Sequence, residues 1–228
     1  ASALARGWGR PVLATDNGSG AAARLVAEVG GEALKDNADL VERADVILLR
    51  HRPHQLGVVA SDLSAGGKMV ISVLGPTKIV ELSAAWPGAQ IARVMPNTPV
   101  EIRRGVCCIA EGGVAAVPLF EEVGRVFVLP ESRMDLATAT IGVTPAYVAV
   151  IVEGFVDACV INGLDAELAT EMFATTLAGT AELIMRKKGD TLAVRRELGS
   201  PGVSTARGVA SLERSGIRTA FEDAMRDV

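Results

Sequence analysis

The sequence predicts an α/β fold in which a doubly wound parallel sheet precedes an all-helical region. Up to about residue 131, six apolar runs alternate with stretches of helical periodicity. The runs are RPVLATD, ADVILLR, KMVISVL, QIARVMP, GVCCIAE and RVFVLP. They are apolar on consecutive residues, which is typical of parallel strands covered by helices on both faces. Helical spacers at this interval imply right-handed crossovers, so residues 1–131 are predicted to form one α/β domain.

Residues 132–228 are predicted to form an all-helical domain, because they contain no convincing strand and their apolar residues recur at helical spacing. Thr144 and Pro145 form a typical N-cap and first-turn pair, which predicts a helix from there to Gly163. Asp165 is a suitable cap for the next helix. Because these helices are apolar over much of their circumference, we expect a homodimer or larger homo-oligomer built through this domain. The alternative is an ordinary monomeric core.

Composition and charge narrow the possible partners and the compartment. The 228 residues are 49% hydrophobic and carry a net charge of -4 with acidic and basic residues interspersed. This balance argues against nucleic-acid and membrane-surface partners. No uninterrupted apolar run of about 18 residues occurs, and the opening ASALARGWGR has no signal-peptide pattern. We therefore expect a cytoplasmic protein.

The cysteines and histidines predict no metal site. Cys107, Cys108 and Cys159 are odd in number and lack CxxC spacing, so we interpret them as buried thiols in a reducing compartment. The two histidines, His51 and His54, share one loop with no cysteine or third histidine beside them.

The sequence contains no GxGxxG turn of the kind that opens a Rossmann-type domain and holds the cofactor pyrophosphate. ASALARGW has the pattern of the first helix and RPVLATD that of the second strand. We therefore expect the first strand and its glycine loop to lie upstream of Ala1. The alternative is a genuine loss of cofactor binding.

Polar residues follow three of the predicted strands, at the edge where ligands of such sheets bind. Asp16 ends the second strand and could accept hydrogen bonds from the adenosine ribose of NADH, unless it only forms a polar turn. RHRPHQ follows the third strand and could contact phosphates or ribose, or be a solvated loop. RVMPNTP places Pro96 and Asn97 just beyond a buried strand, where they could line a nicotinamide pocket or form a plain turn.

A fourth candidate segment, LGSPGVSTARGVASLERSGIRTAF, combines a tight SPG turn with a helix that begins at Ser204 or Thr205. Such a helix start offers backbone amides to a carboxylate and a hydroxyl to a polar ligand atom. A plain capped helix has the same spacing, so the segment by itself leaves both readings open.

Taken together, these segments resemble the pyrroline-5-carboxylate reductase family over nearly the whole chain. RVMPNTP, followed six residues later by GV, is similar to the family's RxMPNxP motif. MDLATATIGVTPAYVAV is similar to the segment around SGSGPAY, and LGSPGVSTARG to the SPGGTT signature. The three motifs occur in the family's order and spacing.

The resemblance implies reduction of 1-pyrroline-5-carboxylate, a cyclic imine acid, to L-proline, the last step of proline biosynthesis, with NADPH or NADH as hydride donor. By motif, Thr205 would hydrogen-bond the imine nitrogen. The residues that would hold the substrate carboxylate are Ser200, Gly202, Val203 and Ser204.

The resemblance also implies a set of cofactor residues. Those that border the nicotinamide by motif are Met95, Pro96 and Asn97. ADVILLRHRPHQL resembles the family's strand and VKPQ loop, so Arg52 and Pro53 match its lysine and proline. DNADLVERAD supplies Asn37 where the family has an asparagine near the adenosine. The family assembles through its helical domain into dimers and larger rings.

Three positions depart from the family pattern. Ile141 and Val143 replace small or hydroxyl residues, and Val203 replaces a glycine, which restricts the backbone. These departures leave open a reductase of another cyclic imine in secondary metabolism, or a non-catalytic oligomeric binding protein. Cofactor choice is open as well, since the family pattern favours NADPH and Asp16 favours NADH.

Overall fold

The computed structural model describes residues 2–198 and 204–228. The chain divides into two compact units, residues 1–145 and 146–228, which are described separately. The domain boundary expected between residues 131 and 132 falls at the start of a long helix that runs through both units. That boundary stays a prediction.

The first unit contains seven strands in two sheets. They are β1 Val12–Ala14, β2 Gly31–Ala33, β3 Val46–Leu49, β4 Met69–Ser72, β5 Gln90–Pro96, β6 Gly105–Ala110 and β7 Gly124–Leu129. β1 pairs with β2, and the other five form a sheet in the order β3-β4-β5-β6-β7. All six predicted strands are confirmed. β2 was missed because its sequence, GEA, is short, exposed and not apolar.

Helices cover both faces of the five-stranded sheet, as predicted. The helices of this unit are α1 Ser2–Trp8, α2 Ala21–Val29, α3 Asn37–Arg43, α4 Leu56–Asp62, α5 Ile79–Ala85, α6 Val117–Glu121 and the start of α7 Glu131–Ile161. Val70 and Ile71 are adjacent in β4 and fully buried, yet they belong to different apolar clusters. Because adjacent strand residues point to opposite faces, each face has its own core.

The sheet is not wholly parallel, which corrects the expectation of a parallel sheet throughout. β5 and β6 run antiparallel, with Met95 opposite Cys108, whereas every other pairing is parallel. Only residues 97–104 separate these two strands. A parallel return needs a crossover of about a dozen residues or more, so this short connection reverses the chain.

Lys68 ties α3 to the start of β4. Its ammonium group donates hydrogen bonds to the carbonyls of Val41, Glu42 and Ala44, at the carboxyl end of α3. A cation there pairs with carbonyls that have no partner within the helix and with the negative end of the helix dipole.

We expect Lys68→Met to lower the free energy of unfolding by about 2 kcal/mol, because it removes hydrogen bonds from a charged donor. Urea denaturation followed by circular dichroism measures this change. Lys35→Met, a substitution of an exposed lysine, should change stability by less than about 0.5 kcal/mol. Equal effects of the two substitutions would contradict the role of Lys68.

The helix predicted to begin at Thr144 is instead the middle of α7, which runs through Pro145. The prediction was wrong because α7 is 31 residues long and the proline removes only one of its backbone hydrogen bonds. Side-chain hydroxyls along this stretch donate back to the carbonyls four residues earlier, including Thr140 to Leu136 and Thr144 to Thr140.

The second unit is helical, as predicted. After the end of α7 it contains α8 Ala166–Arg186, α9 Thr191–Leu198, α10 Ser204–Arg214 and α11 Ile217–Arg226. The carboxylate of Asp165 accepts a hydrogen bond from the Leu168 amide, which confirms the predicted cap of α8. Phe155 and Phe173 stack with ring centroids 4.0 Å apart and join α7 to α8. Tyr147 donates a hydrogen bond to the Ala224 carbonyl and joins α7 to α11.

Large apolar side chains remain exposed along α7 and α8. They include Val148, Val150, Ile151, Phe155, Ile161, Leu168 and Met172. By length and composition α7 could also span a membrane, with a mean hydropathy of 1.6 over its most apolar window. A helix that is apolar on several sides is equally typical of a subunit interface, so this property alone does not distinguish the two.

Candidate active site

The loops after β3 and β4 and the end of β5 lie at one edge of the large sheet, because these strands are parallel. This is the edge where ligands of doubly wound sheets bind. It contains Arg52 and Pro53 after β3, Gly75 after β4, and the segment 95–97 at the end of β5. The structure therefore brings two of the predicted groups of cofactor residues to the same edge.

Met95 is half-buried between the loop after β4 and α7. A Cβ atom placed on Gly142 of α7 would lie 3.1 Å from Met95 Cε, and one placed on Gly75 would lie 3.8 Å from Met95 Sδ and 3.4 Å from Thr138 Cγ2. The side chain of Met95 therefore fits here only because residue 142 is a glycine and has no side chain. Sequence reasoning missed both glycines, although Gly142 is the residue that IGVTPAY shares with SGSGPAY at this position.

Asn97 holds the chain reversal between β5 and β6. Its side-chain oxygen accepts a hydrogen bond of 2.8 Å from the Val106 amide, and its own amide donates to the Val106 carbonyl. The side-chain oxygen is thereby committed to the fold. The side-chain NH₂ group is what Asn97 can offer to a ligand. Pro96, the last residue of β5, is half-buried beside it.

Asp16 forms the polar turn that was considered as the alternative to ribose binding. One carboxylate oxygen accepts a hydrogen bond from the Gly18 amide and the other from the Ala22 amide, each at 2.7 Å. The Ala22 hydrogen bond is the main reason that the pKa of Asp16 lies below its ordinary value. Asp16 is therefore an anion that occupies amides at the start of α2.

Asn37 lies close to this turn. Its side-chain oxygen accepts a hydrogen bond of 2.7 Å from the hydroxyl of Thr15, the residue before Asp16. The structure thus brings the two predicted adenosine-side residues, Asp16 and Asn37, to the carboxyl ends of β1 and β2.

The loop after β3 is a short turn with an exposed cation. Pro53 begins a 3₁₀ turn, and the amide of Arg52 donates to the side chain of Gln55 at 3.0 Å. His51 Nδ1 lies 2.9 Å from the Arg52 carbonyl, so this nitrogen carries the proton. In the neutral ring His51 Nε2 is then an acceptor. This nitrogen is buried and has no partner within residues 2–198 and 204–228.

These features fit a dinucleotide cofactor. The sheet edge offers a guanidinium group at Arg52, a side-chain NH₂ at Asn97 and a buried acceptor at His51 Nε2. Phosphates, a carboxamide oxygen and ribose hydroxyls are the complementary groups. Within the described ranges, no three His, Cys, Asp or Glu side chains form a group that could hold a metal ion.

Arg93 is a charged residue in the middle of β5 and is only 2% exposed. It begins the segment that resembles RxMPNxP, but no role was predicted for it from the sequence. Its guanidinium group donates to Glu131 at 2.8 Å, to Asp135 at 2.7 Å and to the Gly75 carbonyl at 2.7 Å. The hydrogen bond from Arg93 lowers the pKa of Asp135, so the ion pair persists at neutral pH. The sequence feature that could have indicated its role is an arginine inside an otherwise apolar strand.

The second unit carries the substrate-side candidates. Ser204 and Thr205 form the first turn of α10, as predicted, and both side chains are exposed. Glu213 near the end of this helix accepts two hydrogen bonds of 2.8 Å from Arg218 of α11 and lies 3.5 Å from Arg195 of α9. The other candidates, Ser200, Gly202 and Val203, lie outside the described residues.

The cysteines are only partly as expected. Cys107 and Cys108 are buried in β6, and burial raises the pKa of Cys107 to about 12, so this thiol stays protonated. Cys159 is half-buried on α7, not buried.

Two protein-family models match the chain. The model described as pyrroline-5-carboxylate reductase dimerisation matches residues 131–228. The model described as NADP oxidoreductase, coenzyme F420-dependent, matches residues 1–76. The chain therefore combines a segment of a nicotinamide-dependent oxidoreductase domain with a dimerisation domain.

Curated relatives agree over most of the chain. It is 34% identical over 200 residues to the pyrroline-5-carboxylate reductase of Synechocystis, with 84% of this chain and 75% of the relative covered. It is 32% identical over 213 residues to that of Methanosarcina acetivorans, with 88% and 78% covered.

Solved structures share the fold. The 1-pyrroline-5-carboxylate reductase of Streptococcus pyogenes superimposes with a TM-score of 0.88 at 21% identity, with 99% of this chain and 91% of that chain covered. The pyrroline carboxylate reductase of Plasmodium falciparum, solved with NADP bound, gives 0.83 at 26% identity, with 99% and 90% covered. Sequence identity over most of the chain, the dimerisation model and the shared fold together show that this chain belongs to the pyrroline-5-carboxylate reductase family.

Proposed function

We propose that this protein is a cytoplasmic enzyme of proline biosynthesis that reduces 1-pyrroline-5-carboxylate to L-proline with a reduced nicotinamide cofactor. The observation that carries the proposal is the identity of 34% with a relative of that name over 84% of this chain. The test is oxidation of the reduced cofactor when 1-pyrroline-5-carboxylate is added to the full-length protein.

The reaction asks little of the side chains. The bound cofactor supplies a hydride, and a protonated imine is already electrophilic, so the protein has chiefly to align the imine carbon and exclude water. The exposed hydroxyl of Thr205 hydrogen-bonds the imine nitrogen and helps to keep a proton there. Ser200, Gly202 and the amides of Val203 and Ser204 hold the substrate carboxylate.

The cofactor would lie along the sheet edge of the first unit. Met95 and Pro96 would form an apolar wall beside the nicotinamide, and Asn97 would offer it the side-chain NH₂ group. Asn37 would contact the adenosine side, and Arg52 and Pro53 lie where the chain leaves β3. Every predicted cofactor residue except Asp16 would thus lie beside the cofactor.

We infer that Asp16 makes NADH the preferred cofactor. A 2′-phosphate on the adenosine ribose would approach the Asp16 carboxylate, and the Gly18 and Ala22 amides that could neutralise the phosphate already bind that carboxylate. Like charges a few ångströms apart repel each other.

Asp16→Ser should therefore strengthen NADPH binding about tenfold, which corresponds to about 1.4 kcal/mol, and change the Kd of NADH less than threefold. Quenching of protein fluorescence measures both Kd values. Asp36→Ser is the matched control, because the Asp36 carboxylate likewise accepts a hydrogen bond from an amide in the first turn of a helix, that of Asp39, and the substitution should not change cofactor preference. Tighter binding of NADPH than NADH by the unsubstituted protein would contradict the inference.

Of the three departures from the family pattern, one is a core residue of the first unit. Ile141 packs against the buried cluster that contains Met134 and Ala137, so its side chain belongs to the core of the first unit. Val143 is half-buried two residues further along α7. Val203 lies outside the described residues, and a valine-to-glycine substitution there tests its influence on substrate preference.

We also propose that the enzyme is a homodimer or a larger homo-oligomer assembled through α7 and α8. The support is the dimerisation family model over residues 131–228 together with the exposed apolar side chains of both helices.

A further inference from the structure

Arg93 is held by groups from two parts of the first unit. The Gly75 carbonyl comes from the loop after β4, and the carboxylates of Glu131 and Asp135 come from the first two turns of α7. Glu131 also accepts a hydrogen bond of 3.2 Å from the Ile79 amide at the start of α5. One guanidinium group thereby fixes a strand, a loop and a helix relative to one another.

The partners of Arg93 and the neighbours of Met95 lie on one stripe of α7. Glu131, Asp135, Thr138 and Gly142 are separated by four, three and four residues, which is the spacing of a single helix face. Arg93 and Met95 are two residues apart in β5 and point to the same face of the sheet. The stripe therefore packs along β5, with the ion pairs at one end and the Met95 contact at the other.

Met95 touches the same two elements that Arg93 holds. Its tight neighbour is Gly142 in α7, where a Cβ atom would lie only 3.1 Å from Met95 Cε, so α7 has little room to shift against Met95. At Gly75, in the loop after β4, a Cβ atom would lie 3.8 Å from Met95 Sδ, which is an ordinary contact distance. A movement of α7 along β5 would consequently displace the Met95 side chain.

Stability alone does not account for a buried arginine at this position. Burying the guanidinium group of Arg93 costs free energy that its ion pairs offset only in part, because the side chains of Glu131 and Asp135 stay 37% and 61% exposed and water screens their attraction. Charged hydrogen bonds are directional, so those of Arg93 fix the relative positions of the groups that they join.

We propose that Arg93 is a positioning residue of the reductase. By holding Gly75 and α7, it sets the position of Met95 and so the depth of the nicotinamide pocket. The inference rests on the proposed function, because it takes Met95 to border the nicotinamide. Arg93 itself contacts no ligand; it acts through Met95.

The test uses Asp135→Asn in the full-length protein, since loss of Arg93 itself could prevent folding. Asn keeps the size of Asp and removes the charge that Arg93 meets at 2.7 Å. We expect kcat to fall about tenfold, with the KM of the imine nearly unchanged. The kinetic isotope effect from cofactor deuterated at the transferred position should rise, because misplacement slows hydride transfer itself. Glu32→Gln, which breaks an exposed pair with Arg43, should change neither quantity.

A double-mutant cycle with Met95→Ala separates positioning from a purely structural role. If Asp135 and Arg93 act through Met95, adding Asp135→Asn to Met95→Ala should lower kcat less than twofold further. Additive effects on kcat, or an unchanged isotope effect in Asp135→Asn, would overturn the proposal.

If the unsubstituted protein does not reduce this imine, the proposed function fails. The double-mutant cycle can then be measured on the Kd of the reduced cofactor instead of on kcat. Non-additive Kd values would then support the role of Arg93, and additive ones would overturn it.

Discussion

Thr205→Val lowers kcat for imine reduction by about 100-fold and leaves the Kd of the reduced cofactor within about twofold. A hydroxyl that hydrogen-bonds the imine nitrogen stabilises the charge there and helps to keep the proton in place, and a positioned group of this kind contributes about 10²-fold or more. Valine has the shape of threonine without the hydroxyl, so the packing of α10 is retained. Stopped-flow absorbance of the reduced nicotinamide measures kcat.

The control is Thr205→Ser, which retains the hydroxyl and should keep kcat within about fivefold of the unsubstituted enzyme. Ser211→Val alters another hydroxyl residue on the exposed surface of α10 and should have little effect on kcat. A Thr205→Val enzyme as active as the unsubstituted one would remove Thr205 from the mechanism without excluding the reductase.

Ile151→Asp weakens subunit association at least 100-fold. Ile151 lies on α7 and is 37% exposed within the chain. If subunits associate through α7 and α8, as we propose, a carboxylate at this position would be buried between them. Burying an unpaired charge costs about 3 kcal/mol or more, which corresponds to a factor of more than 10² in the dimer Kd. Sedimentation velocity over a range of concentrations measures the Kd.

The matched control is Val58→Asp on α4, an exposed valine of the first unit that lies outside residues 131–228, which the dimerisation model matches. It should leave the association state unchanged. Unaltered association of Ile151→Asp, at a concentration where the unsubstituted protein is fully associated, would show that subunits do not meet through this face.

The strands were predictable because their apolar residues are consecutive. Val70 and Ile71 face different cores, so both must be apolar, and the run is visible in the sequence. β2 has no such run and gave no signal. The direction of β6 depends on the length of residues 97–104, a constraint on connection that apolar patterning does not contain.

Helix boundaries were predictable where a cap decides them. Asp165 caps α8 through its own carboxylate, a local interaction that sequence reveals. Thr144 and Pro145 have an equally good local pattern, but α7 continues through them because the helix is hydrogen-bonded on both sides of the proline. At this point the local sequence pattern predicts a helix start, but the surrounding structure continues the helix, and tertiary context outweighs local preference.

The site was predictable to the level of segments and less so for the roles of single side chains. Polar residues after β3 and β5 were expected at one edge, and the parallel pairing of β3, β4 and β5 brings them there. Asp16 follows β1, but the hydrogen bonds that it accepts from the Gly18 and Ala22 amides could not be read from the sequence. Arg93 begins the RVMPNTP segment, but its role could not be predicted because its two carboxylate partners are 38 and 42 residues away.

The most direct test of the central claim follows the absorbance of reduced nicotinamide when 1-pyrroline-5-carboxylate is added to the full-length protein, with NADH and NADPH compared at equal concentrations. We predict rapid loss of absorbance, formation of L-proline in equal amount, and a higher kcat/KM for NADH. A folded oligomer that binds the cofactor but leaves its absorbance unchanged would contradict the assignment as a pyrroline-5-carboxylate reductase.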